Sequence, residues 1–158
     1  MPQIDLATFI HAPVERVFDL ARSIDAHMAS THGTGERAVA GRTSGLIELG
    51  EAVTWEATHF GIRQRLTVRI TEMDHPHSFS DEMISGAFAS MRHRHLFFPE
   101  AAGTRMQDEF HFTAPLGLLG QIAERCFLTR YMKRFLTERN RALKQMAESD
   151  DWRRFLPM

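Results

Sequence analysis

The chain has 158 residues, of which 43% are hydrophobic and 25% charged, with a formal net charge of −1. That balance excludes long disorder and leaves no electrostatic footprint for nucleic acid or an anionic membrane surface. A chain this long buries roughly 70% of the surface its unfolded form exposes, so one core suffices without disulfide staples.

The opening stretch MPQIDLATFIHAP lacks the basic start and long apolar run of a signal peptide. Residues 4–11 alternate, with Ile4, Leu6, Thr8 and Ile10 on one side, and predict a short strand. Pro13 and Glu15 suit a helix start, and Val14, Val17, Phe18 and Ala21 follow at helical spacing. Residues 23–30 predict a second short helix, and Thr31 to Gly35 a loop. Residues 36–40 give a short strand, 41–45 a break, and 46–49 no clear state. Residues 52–60 read as a strand with Val53, Trp55, Ala57 and His59 on one face. Residues 63–72 read as another, with Leu66, Val68 and Ile70 inward. His75-Pro76-His77 is a turn with solvated histidines, and residues 79–84 are a further strand.

The two strands at 90–98 and 104–113 carry the most information. The second places Met106, Asp108, Phe110 and Phe112 on its inner face; the first places Met91, His93, His95 and Phe97 there. With Ala101 and Ala102 at the tip of the hairpin, His95 falls opposite Asp108 and Arg94 opposite Glu109. A long helix then runs from Pro115 to about Glu148. Its apolar pairs recur at a spacing near four, so the stripe drifts around the helix. Cys126 lies on that stripe and is expected to be buried and inert. As the single cysteine it forms no intramolecular disulfide, which suits a reducing, cytoplasmic compartment. The basic run Arg130, Lys133, Arg134, Arg139, Arg141 and Lys144 reads as a solvated helix face. Trp152 and Phe155 in the tail fold back onto the domain. No apolar run approaches the ~18 residues of a spanning helix, so no stable membrane insertion is expected.

The element order, the opening FIHAPVERVFDLARSID and the closing FHFTAPLGLLGQIAE together resemble the START-like (SRPBCC) superfamily of polyketide cyclase/dehydrase-like and lipid-transport proteins. The resemblance covers residues 3–148. It implies one α+β domain over 1–158, with a core at 3–148 and a tail at 149–158. It implies a helix-grip fold: a curved antiparallel sheet of six to seven strands wrapped around a long C-terminal helix, with two short helices after the first strand. It also implies a pocket between the concave sheet face and that helix. Trp55, His59, Phe79, Asp81, Met83, Met91, His93, His95, Met106, Asp108, Phe110 and Phe112 would line it from the sheet, and Ile122, Cys126 and Met132 from the helix. Twelve Phe and nine Met suit either an apolar guest or an ordinary soft core.

The expected occupant is a hydrophobic or amphipathic small molecule. His93 and His95 with a carboxylate, Asp108 or Asp81, form a satisfied interior network, orient a ligand's polar end, or act as general acid and base. The last option corresponds to a cyclase or dehydratase acting on an aromatic or polyketide-like substrate. A third alternative is a module that docks onto a protein or membrane. The His-x-His spacing also begins metal sites, with His59, Asp81 or Asp108 as third ligand. Nothing in the spacing fixes that ligand, so no metal and no other cofactor is expected; a homodimer is left open. The glycines between 31 and 45 suggest a lid opening against 116–123.

Overall fold

Alternating apolar and polar residues produce seven antiparallel strands among residues 2–157, the part of the chain that the computed structural model describes, apart from the side chains of His32, Glu124 and Arg125. The chain runs β1 (Gln3–Ile10), α1 (Val14–Arg22), α2 (Ile24–Ser30), β2 (Arg37–Gly41), β3 (Ala52–His59), β4 (Ile62–Asp74) and β5 (Ser78–Gly86). It continues through β6 (Ser90–Glu100), β7 (Gly103–Thr113), α3 (Gly117–Ala123) and α4 (Thr129–Glu148). The sheet order is β1-β7-β6-β5-β4-β3-β2, so β1 and β2 form opposite edges. The chain therefore has to cross the sheet between its first two strands, and α1 and α2 make that crossing. Ser23 ends α1 and starts α2, where its hydroxyl accepts a hydrogen bond from Ala26 N at 3.1 Å.

The β6–β7 hairpin has the register expected from its alternation, with His95 opposite Asp108 and Arg94 opposite Glu109. Its inner faces are buried through Met91, His93, His95 and Phe97 on one strand and Met106, Asp108, Phe110 and Phe112 on the other. Nearby, Phe18 of α1 lies edge-on to Phe79 and Phe97, with ring centroids 5.3 and 5.1 Å away. α4 packs on β1, α1 and α2 through a face carrying Met132, Leu136, Leu143, Met146 and Ala147. Trp152 and Phe155 pack against the core, and the Arg16 guanidinium sits 4.3 Å above the Trp152 ring.

The expected long C-terminal helix runs unbroken from Gly117 to Glu148, with one wide π-type turn over Glu124–Leu128 between α3 and α4. Two expectations drawn from it need correction. Such a turn absorbs an extra residue and rotates what precedes it. As a result α3 touches mainly the turn rather than the sheet, and Leu118, Leu119 and Ile122 stay exposed. Cys126 sits in that turn and is exposed rather than buried. Finally, Arg139 does not belong to the solvated basic face. It is 4% exposed, because it shares the core-facing stripe of α4 with Leu136 and Leu143.

The segment 31–45 holds a single tight turn at His32–Thr34 followed by β2. Gly41 has φ +72°, and a Cβ there would collide with the Ala52 carbonyl of β3. Close strand pairing therefore demands that glycine.

Candidate functional site

Two cavities meet at Trp55. The larger, about 230 Å³, lies between β3, β4 and α4. Its walls are mostly apolar: Trp55 and Ala57 from β3, Leu66 from β4, Phe88 from the loop before β6, and Leu128, Met132 and Phe135 from the last helical segment. Alternation along β3 turns Trp55, Ala57 and His59 to one side, and Phe135 lies one helical turn beyond Tyr131. The polar groups are few. His59 Nδ1 and the Tyr131 hydroxyl share a hydrogen bond of 2.6 Å. Burial pushes the His59 pKa below its ordinary value against the opposing pull of Glu36. Burial also raises that of Tyr131, with Glu36 and Glu138 adding to the effect.

Glu36 lines the same cleft, and its Oε1 lies 3.4 Å from His27 Nε2. Burial alone would raise the Glu36 pKa, but His27, His59 and Arg139 outweigh it and hold the carboxyl low. The His27 ring stacks on Trp55 with centroids 4.2 Å apart.

The smaller chamber, about 70 Å³, lies on the other side of Trp55. Arg22, Ser23, His27, Asp81, His93, His95 and Arg139 are its polar walls. Asp81 is opposite His93 in the β5–β6 register but bonds diagonally to His95, whose Nε2 is 3.1 Å from Asp81 Oδ1. Asp108, opposite His95, bonds diagonally to His93 Nε2 at 2.8 Å, and Asn140 Nδ2 donates to its other oxygen at 2.7 Å. His95 Nδ1 lies 3.2 Å from Asp108 Oδ1, but the direction misses hydrogen-bond geometry, so this buried nitrogen lacks a hydrogen-bond partner. The same holds for Arg139 Nε.

The two imidazoles diverge in character. Burial and then the neighbouring His95 push the His93 pKa down to about 4, in spite of Asp108. Burial would also lower His95, but contacts with Asp108 and Asp81 outweigh it and raise its pKa. Burial would raise both carboxyls, yet the histidines hold Asp81 low and Asp108 well below the usual carboxylate range. Chemically, the arrangement is a neutral imidazole beside one that favours the proton, held between two carboxylates.

The predicted lining residues therefore divide. Trp55, His59 and Met132 line the apolar cleft; Phe79, Asp81, His93 and His95 border the chamber. Met91, Met106, Phe110 and Phe112 are core, Asp108 stands behind both histidines, and Met83 packs against the core without lining either cavity. Ile122 and Cys126 face solvent. Sequence reasoning missed Glu36, Tyr131, Phe135, His27 and Arg139. For Arg139 a signal existed: it lies three residues after Leu136 and four before Leu143.

Fold and site together define a helix-grip protein with an apolar cleft and an adjoining polar chamber. Residues 1–148 match the family model described as polyketide cyclase / dehydrase and lipid transport, and the chain belongs to this family. Among solved structures, the chain is similar to TTHA0849 from Thermus thermophilus, with 20% identity, TM-score 0.76, and 92% of this chain and 97% of that one covered. It is similar to protein CV1439 from Chromobacterium violaceum, with 14% identity, TM-score 0.75, and coverage of 94% and 99%. A START superfamily protein from Mycobacterium smegmatis matches with 12% identity, TM-score 0.69, and coverage of 92% and 97%. These likenesses show the shared fold. A comparison with curated proteins finds no match. Among the described residues, no helix is long and apolar enough to cross a membrane.

Proposed function

We propose that the protein binds a hydrophobic or amphipathic small molecule in the cleft between the sheet and α4, as a carrier rather than a catalyst. The observation that carries this reading is the apolar cleft of about 230 Å³. It falls just below the roughly 300–1,000 Å³ of sites for drug-sized ligands, so its guest is a compact ring system or a medium-length chain. His59 and Tyr131 offer such a guest one polar contact amid apolar walls. The exposed Cys126 accords with a reducing, cytoplasmic setting.

Fluorescence titration with the neutral apolar probe N-phenyl-1-naphthylamine tests the proposal. The expected result is saturable binding of one probe per chain with a blue-shifted emission. Ala57→Trp, which fills the cleft from its β3 wall, should weaken that binding about tenfold or more, the effect of roughly 1.4 kcal/mol. Equal binding by the folded Ala57→Trp variant, or no saturation in the wild type, would overturn it.

A further inference from the structure

The polar chamber is not needed to hold an apolar guest, and its composition is costly. Asp108, His93 and His95 are buried and Asp81 half-buried behind Trp55, where hydrophobic residues would pack as well or better. What the cluster can do follows from its geometry. One ligand atom from each of Asp81, His93 and His95 lies within 4.8 Å of the other two. Sequence spacing leaves the third ligand of the His-x-His pair undecided, and the fold decides it. His59 lines the other cavity and is bonded to Tyr131. Asp81, opposite His93 on the neighbouring strand, completes the set.

We propose that Asp81, His93 and His95 form a binding site for a divalent transition-metal ion, with Asp108 as the carboxylate that orients both imidazoles. Two nitrogens and one carboxylate suit zinc, cobalt or ferrous iron rather than calcium or magnesium. Metal-bound imidazoles characteristically give a second ring nitrogen to a carboxylate. Asp108 already does this for His93, whose Nε2 is 2.8 Å away, and His95 Nδ1, 3.2 Å from the same oxygen, has to turn to reach it. Asn140 in turn fixes Asp108. Donors about 2.0–2.2 Å from a tetrahedral zinc stand about 3.3–3.6 Å apart, so the widest separation in the cluster, up to 4.8 Å, has to close by up to about 1.5 Å through side-chain rotation.

Charge and room agree. Around the chamber, among the described residues, Asp81 shares the wall with the guanidinium of Arg139, and Asp108 stands behind the histidines. Arg22 also lines it but is paired with Asp19 and Glu48. A cation bound to the two imidazoles stands between Asp81 and Asp108, whose carboxylates offset its charge. The chamber's 70 Å³ accommodates the ion and about one or two waters, each occupying about 30 Å³ in the liquid. Three protein ligands with open positions are the pattern of reactive rather than purely structural metal centres. A hydroxide or anionic group on the ion would also find the buried Arg139 Nε, which has no partner otherwise.

This inference is independent of ligand binding in the cleft: probe binding and metal binding can each fail without the other. The test uses full-length protein freed of metal by a chelator. Calorimetry with Zn²⁺ should give one ion per chain, and Co²⁺ should produce a visible absorption band from nitrogen and oxygen ligands. Asp81→Asn and His93→Gln should abolish stoichiometric binding, and Asp108→Asn should weaken it about 10–100-fold. The double variant His75→Ala/His77→Ala, at the exposed turn with Asp19 and Asp74 nearby, should bind like wild type. Wild type that takes up neither ion stoichiometrically overturns the proposal, as does binding lost only in the surface double variant. If the chamber variants fail to fold, the wild type still decides. A Co²⁺ spectrum no different from that of the ion in buffer, with no rise in Tm, rejects the site.

Discussion

Trp55 divides two kinds of interior. On one side the cleft is lined by Leu66, Phe88, Met132 and Phe135 and carries one His–Tyr hydrogen bond; on the other, four ionisable side chains interlock at 2.8 to 3.2 Å. The cleft wall can be changed at modest cost because its groups already tolerate empty space. The chamber cannot, because its carboxylates and imidazoles hold one another in place. Removing one member leaves a buried charge without its partner, which is among the most costly single changes a protein can undergo.

The largest expected effect follows from this. Asp108→Ala strands His93, His95 and Asn140 together, and should lower the unfolding free energy by about 3–5 kcal/mol. Denaturant titration checks this, and a loss below about 1 kcal/mol would show that the network contributes little. A moderate effect concerns acid. The folded His59 pKa lies below 6.5, so as pH falls from neutrality the unfolded chain takes up a proton that the folded chain resists. Stability is therefore lost as pH drops from about 6.5 toward the folded pKa. His59→Gln should remove this part of the loss, read as a shallower fall in Tm between about pH 7 and 5. The carboxyl of Glu36, held low in the fold, contributes stability above its ordinary value of 4.5 that is lost at still lower pH, in both proteins. The smallest effect belongs to α3. Leu119 is 70% exposed, and Leu119→Ser should change stability by no more than about 0.5 kcal/mol in a thermal melt.

Much of the sheet is legible in the sequence because strand parity is unforgiving: a slip of one residue at the β6–β7 hairpin would bury Arg94 and expose His95. The same parity brings His93, His95 and Asp108 to one face. It does not reveal that Asp81 bonds diagonally, because diagonal reach depends on rotamers and strand twist rather than on spacing. Helices are read less securely. A stripe with a period near four predicts the long helix but does not reveal the wide turn inside it, and Ile122 and Cys126 lie at the surface rather than in the pocket. Charge misleads at Arg139, whose position on the stripe is apolar by geometry although its side chain is not.

The wide turn at Glu124–Leu128 also bears on how sequence change is tolerated. It divides the C-terminal segment into a part that carries the fold and a part that does not. Substitutions in α4 disturb packing against β1, α1 and α2. Substitutions at Leu118, Leu119 or Ile122 disturb little, because those side chains already stand in water. Variation can therefore accumulate at α3 while the scaffold stays intact, and a deep mutational scan would map that boundary as a sharp change in tolerance within a few residues of position 128.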